Sequence, residues 1–157
     1  MPVRKIRIAL IEDSPTVRFY YKSLFEKAGF EVLEAENVRK GWDIICNQKP
    51  DIIVLDMMMP EIPGIELLKR IRSVEYSQHI PVLVLSSIKD ENQIKEIVHE
   101  GADHFCPKGM DSPERIKEMI YQLLRKRQEE IMAKKMSGQR KAVSSGVEEI
   151  DRHFWWF

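Results

Sequence analysis

The sequence predicts an open α/β fold: a doubly wound, five-stranded parallel sheet with helices on both faces. Three observations lead there. Short apolar runs alternate with amphipathic stretches five times along the chain. One of those runs, Ile52-Ile53-Val54-Leu55, is apolar without a break, the mark of a central parallel strand buried on both faces. Acidic or hydroxyl residues follow the ends of several of the runs.

The elements follow in order. Ile6–Ile11 reads as a first strand. Ser14-Pro15 opens a helix, with Ser as N-cap and Pro at the first helical position. Val17, Tyr20, Tyr21, Leu24, Phe25 and Ala28 form its inner stripe and Gly29 ends it. Phe30–Ala35 is a second strand. Asn37 caps a second helix with the stripe Val38, Trp42 and Ile45. Asp51–Asp56 is the third strand. A loop from Met57 to Gly64 leads into a helix reaching Val74. Ile80–Leu85 is the fourth strand, residues 90–100 a fourth helix with the stripe Ile94, Ile97 and Val98, and Asp103–Pro107 a fifth strand. Ser112-Pro113 opens the last helix, lined by Ile116, Met119, Ile120, Leu123 and Leu124. Regular β-α alternation implies a parallel sheet, and the order 2-1-3-4-5 suits five strands. In such a sheet a site lies beyond the carboxyl ends of the strands, near the switch point between strands 1 and 3.

Composition narrows the function. With 157 residues, 43% of them hydrophobic, the chain can build one domain with a real core and a short extension. Lys plus Arg and Asp plus Glu both number 25, so no global charge suggests a nucleic-acid binder. Cys46 and Cys106 match no metal or redox spacing and read as small buried hydrophobes. The four His residues show no ligand spacing. There is no signal-peptide pattern and no membrane-length apolar run, so the expected compartment is cytoplasmic.

The strand ends carry the chemistry. Glu12-Asp13 follow strand 1 and Asp56 ends strand 3, its neighbour in the predicted order. Ser86-Ser87 follow strand 4 and Lys108 follows strand 5. Converging carboxylates repel, which raises their pKa values or demands a cation. Mg²⁺ suits a few carboxylate oxygens together with waters and phosphate oxygens. An aspartate beside it can act as a nucleophile on phosphorus, while an ammonium and a hydroxyl hold the other phosphoryl oxygens.

These residues carry a resemblance. Over roughly residues 4–126 the chain resembles the receiver domain of two-component response regulators, a flavodoxin-like fold. The likeness rests on Ile11-Glu12-Asp13-Ser14, on Leu55-Asp56-Met57-Met58-Met59-Pro60-Glu61-Ile62-Pro63-Gly64-Ile65-Glu66, on Ser86, and on Gly101-Ala102-Asp103-His104-Phe105-Cys106-Pro107-Lys108. It implies Asp56 as phosphoacceptor and Glu12, Asp13, Asp56 and the Met58 carbonyl as Mg²⁺ ligands. It implies Ser86 and Lys108 on the phosphoryl group, and Ser86 with Phe105 as the switch pair that reshapes the helix 4–strand 5–helix 5 face. It implies a sensor histidine kinase or phosphotransfer protein as phosphodonor. The protein is then a signalling switch and not an enzyme, beyond accepting its phosphoryl group and losing it slowly.

Three residues depart from the family pattern. Phe105 stands where Tyr is common. Gly109 replaces the proline that usually follows the lysine in a cis peptide, so a trans bond is expected. Pro63 replaces a common Asp or Asn before Gly64. Pro107 fits strand 5 only if that strand lies at the sheet edge.

The stretch 127–157 is expected to be a helical extension with an aromatic tail, and a candidate linker to an output domain. Arg125–Met136 keeps helix formers with a thin apolar stripe of Ile131, Met132 and Met136, a candidate contact with a second copy of the chain. Ser137-Gly138 is expected to break the helix. Val143–Asp151 is similar to the entry segment of circadian-clock-type RecA-like ATPases, but no P-loop follows. Phe154-Trp155-Trp156-Phe157 is expected to be buried against some surface. The alternative function is the receiver part of a longer transcription factor or ATPase-linked regulator. A flavodoxin-like electron carrier is disfavoured because no Ser/Thr-Gly-rich phosphate loop follows strand 1. A DNA-binding domain does not fit in the tail, and an aspartate-dependent phosphatase would need an acid where Met58 stands.

Overall fold

The computed structural model describes residues 3–144. Its elements are β1 (Arg7–Ile11), α1 (Pro15–Lys27), β2 (Glu31–Ala35), α2 (Val38–Gln48), β3 (Ile52–Leu55), α3 (Gly64–Ser73), β4 (Val82–Ser86), α4 (Glu91–His99), β5 (His104–Pro107) and α5 (Pro113–Ser144). The five strands pair in parallel in the order β2-β1-β3-β4-β5, as predicted. The strands are mostly shorter than the apolar runs suggested, by one or two residues at an end.

Alternation along the strands sorts side chains into two cores. Ile8, Leu10, Ile52, Val54, Leu83 and Leu85 face α1 and α5, where Tyr21, Phe25, Ile116 and Ile120 meet them. Ala9, Ile11, Ile53, Leu55 and Val84 face α2, α3 and α4, represented by Ile45, Leu67, Leu68, Ile71 and Ile97. β3 is buried at all four positions, which explains its unbroken apolar run.

Local signals set the helix starts. Ser14 accepts the Val17 amide at 3.4 Å, Asn37 the Lys40 amide at 2.9 Å, and Asp90 the Gln93 amide at 2.9 Å. Arg72 of α3 ties later elements together. It donates to the carbonyls of Gly101, Gln78 and Ile80, and lies 2.8 Å from the Asp103 carboxylate, which also accepts the Val82 amide.

Several expectations need correction. Tyr20 and Val98, assigned to inner stripes, are 56% and 51% exposed. A stripe gives the period of an amphipathic helix but not its rotation, and the edge of the stripe turns outward. Cys46 is only half-buried, bonded to the Tyr76 hydroxyl at 2.9 Å, whereas Cys106 is fully buried. Ser137-Gly138 does not break the last helix, which runs to Ser144. One glycine costs about 1 kcal/mol against alanine, too little to stop a helix whose flanks favour it.

The chain divides into two units between Leu124 and Arg125. In the second, Met132 and Met136 are exposed. The aromatic run at 154–157, and the ATPase-like segment beyond Ser144, lie outside the described residues. Among the described residues, no helix is long and apolar enough to cross a membrane.

Candidate functional site

Three site residues sit one step beyond a strand, and each amide still bonds to a neighbouring segment. Glu12 donates to Ala35, Asp56 to Ile11 and Lys108 to Ser86, all at 3.0 Å. The main chain of each is therefore fixed by the sheet ladder, and the side chains gather at its carboxyl edge. Arg18 of α1 pins the first acidic turn by donating to the Glu12 carbonyl at 2.8 Å, a role that local sequence pattern did not reveal.

One ligand oxygen from each of Glu12, Asp13 and Asp56 lies within 4.8 Å of the others. Glu12 and Asp56 are 3% exposed, and Asp13 is half-buried. The Lys108 ammonium is 2.7 Å from Glu12 Oε2 and 3.2 Å from Asp56 Oδ2. Glu12 Oε1 also accepts the Ser14 amide at 3.2 Å, and Asp56 Oδ1 the Met58 amide at 3.2 Å. Burial pushes the Glu12 carboxyl up, with the Asp56 charge adding to it, while the bond from Lys108 opposes the shift. Burial disfavours the Lys108 charge, but the Glu12 bond and the two carboxylates outweigh it and hold the ammonium above its usual range.

Three carboxylates facing one ammonium leave an excess of negative charge. Their oxygens are the donor set that a hard divalent cation takes. The residues therefore fit Mg²⁺.

The loop after β3 is shaped by Gly64. A Cβ on Gly64 would lie 2.2 Å from the Asp56 carbonyl oxygen and 2.8 Å from Met57 Cα. The Gly64 amide donates to the Met57 carbonyl at 3.0 Å, so the loop folds back directly under Asp56. Met57 and Met59 are buried there, whereas Met58 points outward, 61% exposed. Glu61 takes a positive φ of 67° within the same loop.

Ser86 is fully buried at the end of β4, and its hydroxyl meets the Ile88 amide at 3.5 Å. Phe105 pairs with Val84 across β4 and β5 and is half-buried against the α2–α4 core. The fold thus brings Glu12, Asp13, Asp56 and Lys108 into one cluster. Ser86 stands on the adjoining strand, and Phe105 lies three residues before the lysine. The Lys108–Gly109 bond is trans, as expected, and Pro107 lies on an edge strand.

The family model for the response regulator receiver domain matches residues 8–121. This chain therefore belongs to that family, the signal-receiving module of two-component systems. Among curated proteins it is 35% identical over 101 residues to the phosphate regulon transcriptional regulatory protein PhoB of Pseudomonas aeruginosa, covering 64% of this chain and 44% of that one. It is 30% identical to sporulation initiation phosphotransferase F of Bacillus subtilis, covering 64% of this chain and 80% of that protein. The match to PhoB thus spans less than half of that longer regulator. A CheY-like receiver from Methanospirillum hungatei superposes with a TM-score of 0.74 at 21% identity, covering 81% of this chain and 99% of that one. Chemotaxis protein CheY4 of Vibrio cholerae gives 0.71 at 22% identity, covering 76% and 99%. At those identities the structural likeness speaks to the fold alone.

Proposed function

We propose that this receiver is a phosphoacceptor switch, loaded on Asp56 by the phosphohistidine of a sensor kinase or phosphotransfer protein in the cytoplasm. The observation that carries this reading is the gathering of the Glu12, Asp13 and Asp56 oxygens beside Lys108 at the carboxyl edge of the sheet. An Asp56 oxygen attacks phosphorus, forming the acyl-phosphate bond. The P–N bond of the donor breaks, and its electron pair leaves with the imidazole, which picks up a proton. Lys108, already oriented by both acids, takes a phosphoryl oxygen, and the Ser86 hydroxyl takes another. Glu12, Asp13, Asp56 and the Met58 carbonyl are the groups that would hold Mg²⁺. When bound, that ion supplies positive charge to the phosphoryl oxygens.

Phe19 and Tyr20 of α1, the helix that follows Glu12-Asp13, are 71% and 56% exposed and would offer a bulky donor apolar contact.

The output is a change in the α4–β5–α5 face. Ser86 moves toward the phosphoryl group and Phe105 follows into the space it leaves. α4 suits such a change because it is held by one buried side chain, Ile97. Amide exchange over residues 88–108 tests this reading, with free protein compared to protein carrying Mg²⁺ and beryllofluoride. Slower or faster exchange confined to this face is expected. Identical exchange in both forms would contradict the switch.

A further inference from the structure

We propose that Glu34 and Arg18 form a positioning relay for the metal ligands: Glu34 of β2 sets the Arg18 guanidinium, and Arg18 holds the Glu12-Asp13 main chain so that Asp13 stays beside Glu12 and Asp56. Neither residue belongs to the carboxylate cluster itself. The inference rests on the Mg²⁺ assignment within the phosphoacceptor reading above.

Asp13 needs such a hold. The Glu12 carboxylate is fixed by Lys108 and the Ser14 amide, and that of Asp56 by Lys108 and the Met58 amide. Among the described residues, no hydrogen bond or ion pair holds the Asp13 carboxylate. Asp13 also falls one residue past Glu12, whose amide is bonded to the Ala35 carbonyl of β2. Its place is therefore set through its main chain. Two carbonyls of that stretch meet one side chain: Arg18 Nη1 lies 2.8 Å from the Glu12 oxygen and 3.4 Å from the Asp13 oxygen.

The guanidinium is held from its other edge. Arg18 Nε is 3.5 Å from Glu34 Oε1, and Lys22, one turn along α1, holds Glu34 Oε2 at 2.7 Å. The sheet places Glu34 for this. It pairs with Leu10 of β1, and strand alternation puts it on the face of Val32, which packs in the α1–α5 core. A guanidinium is planar and donates in a fixed fork, so setting the Nε edge aims the Nη1 edge. The arginine gains little from its own helix. It lies near the positive end of α1, where a cation opposes the helix dipole, and the first turn carries no acid to offset it.

Charge and position predict opposite signs at Arg18. If only its charge mattered, removing it would tighten the binding of a nearby cation. If only the charge of Glu34 mattered, removing that carboxylate would weaken binding with or without Arg18.

The probe is Mg²⁺ itself, titrated calorimetrically at fixed ionic strength into unphosphorylated wild type, Arg18→Ala, Glu34→Ala and the double variant. Arg18→Ala should weaken binding about two- to tenfold, the scale of one net hydrogen bond. Glu34→Ala should weaken it about two- to threefold, the scale of an exposed ion pair. In the Arg18→Ala background, Glu34→Ala should have no further effect, because it acts through the arginine. An Arg18→Ala protein that binds Mg²⁺ as well as wild type, or better, overturns the proposal. So does a Glu34→Ala loss of the same size in both backgrounds, or no loss with Arg18 present. If Arg18→Ala does not fold, Arg18→Lys replaces it, keeping the charge without the fork. The same weakening is then expected, and wild-type affinity overturns the proposal. A wild type that binds Mg²⁺ but no beryllofluoride overturns the phosphoacceptor reading alone, and one that binds no Mg²⁺ overturns the relay as well.

Discussion

The Lys108 ammonium lies closer to Glu12 than to Asp56, at 2.7 Å against 3.2 Å, so the lysine and the first acid form the tighter pair. Both acids are buried, and Lys108 is the cation in contact with both. Removing it strands buried charge, which costs about 3–5 kcal/mol where a pair is fully desolvated. The pH dependence follows from the two shifts. Lys108 is raised in the folded state, so its contribution is complete below 10.5 and is lost as pH rises through the folded value. Glu12 is also raised, so its ionisation opposes folding once pH climbs above 4.5. Lys108→Ala should therefore be most destabilised near neutral pH, with a smaller difference from wild type in acid and above 10.5. Denaturant unfolding of both proteins across pH checks this. A difference independent of pH would contradict it.

Gly64 has no room for a side chain. Alanine would press on the Asp56 carbonyl, and overpacking of this kind costs about 1–3 kcal/mol. Because the atom pressed belongs to Asp56, which we propose as the phosphoacceptor, function should suffer too. Gly64→Ala is expected to melt several degrees lower and to take up a small phosphodonor more slowly at temperatures where it remains folded. A variant with wild-type melting and loading would show that the loop shifts freely.

Hydrolysis of the acyl phosphate needs a water in line with phosphorus. The two flanking positions carry Met58, largely exposed, and Ile88, half-buried against the α2–α4 core. Neither side chain hydrogen-bonds a water usefully, so the orientation advantage is lost. The phosphorylated protein should decay more slowly than a Met58→Asn, Ile88→Glu double variant, by roughly tenfold if one positioned hydrogen bond of about 1.4 kcal/mol is gained. Equal decay times would show that these residues do not protect the phosphoryl group.

Cys106 should be chemically silent. Burial first, then its 3.0 Å bond to Asp111 and that residue's charge, push the thiol up to about 12. It therefore stays a neutral thiol across the physiological range, and the thiolate is the reactive form. Iodoacetamide at pH 8 should label half-buried Cys46 in folded protein and reach Cys106 only after unfolding. Peptide mass analysis reads the result. Labelling of Cys106 at the rate of Cys46 would contradict the buried, bonded thiol.

Much of this was legible in the residues because strand order follows from local alternation. Once β1 and β3 are neighbours, Glu12, Asp13 and Asp56 must share an edge, whatever the fine geometry. The Glu12–Lys108 pairing was harder to foresee, because it joins residues far apart in sequence and depends on how far the β5 turn projects. The Arg72 contacts with Gly101 and Asp103 were hidden for the same reason. No local period encodes them. Tyr20 and Val98 misled because helical spacing leaves the boundary of the buried face undefined. Ser137-Gly138 misled because breakers act as weights against their flanks, and here the flanks prevailed.

The central claim is that Asp56 accepts the phosphoryl group. Intact-mass measurement after treatment with Mg²⁺ and a small phosphodonor tests it most directly, in wild type and Asp56→Asn. One acid-labile phosphoryl group on wild type, absent without Mg²⁺ and absent from Asp56→Asn, is the predicted result. An Asp56→Asn protein that gains the same group at the same rate would contradict the account.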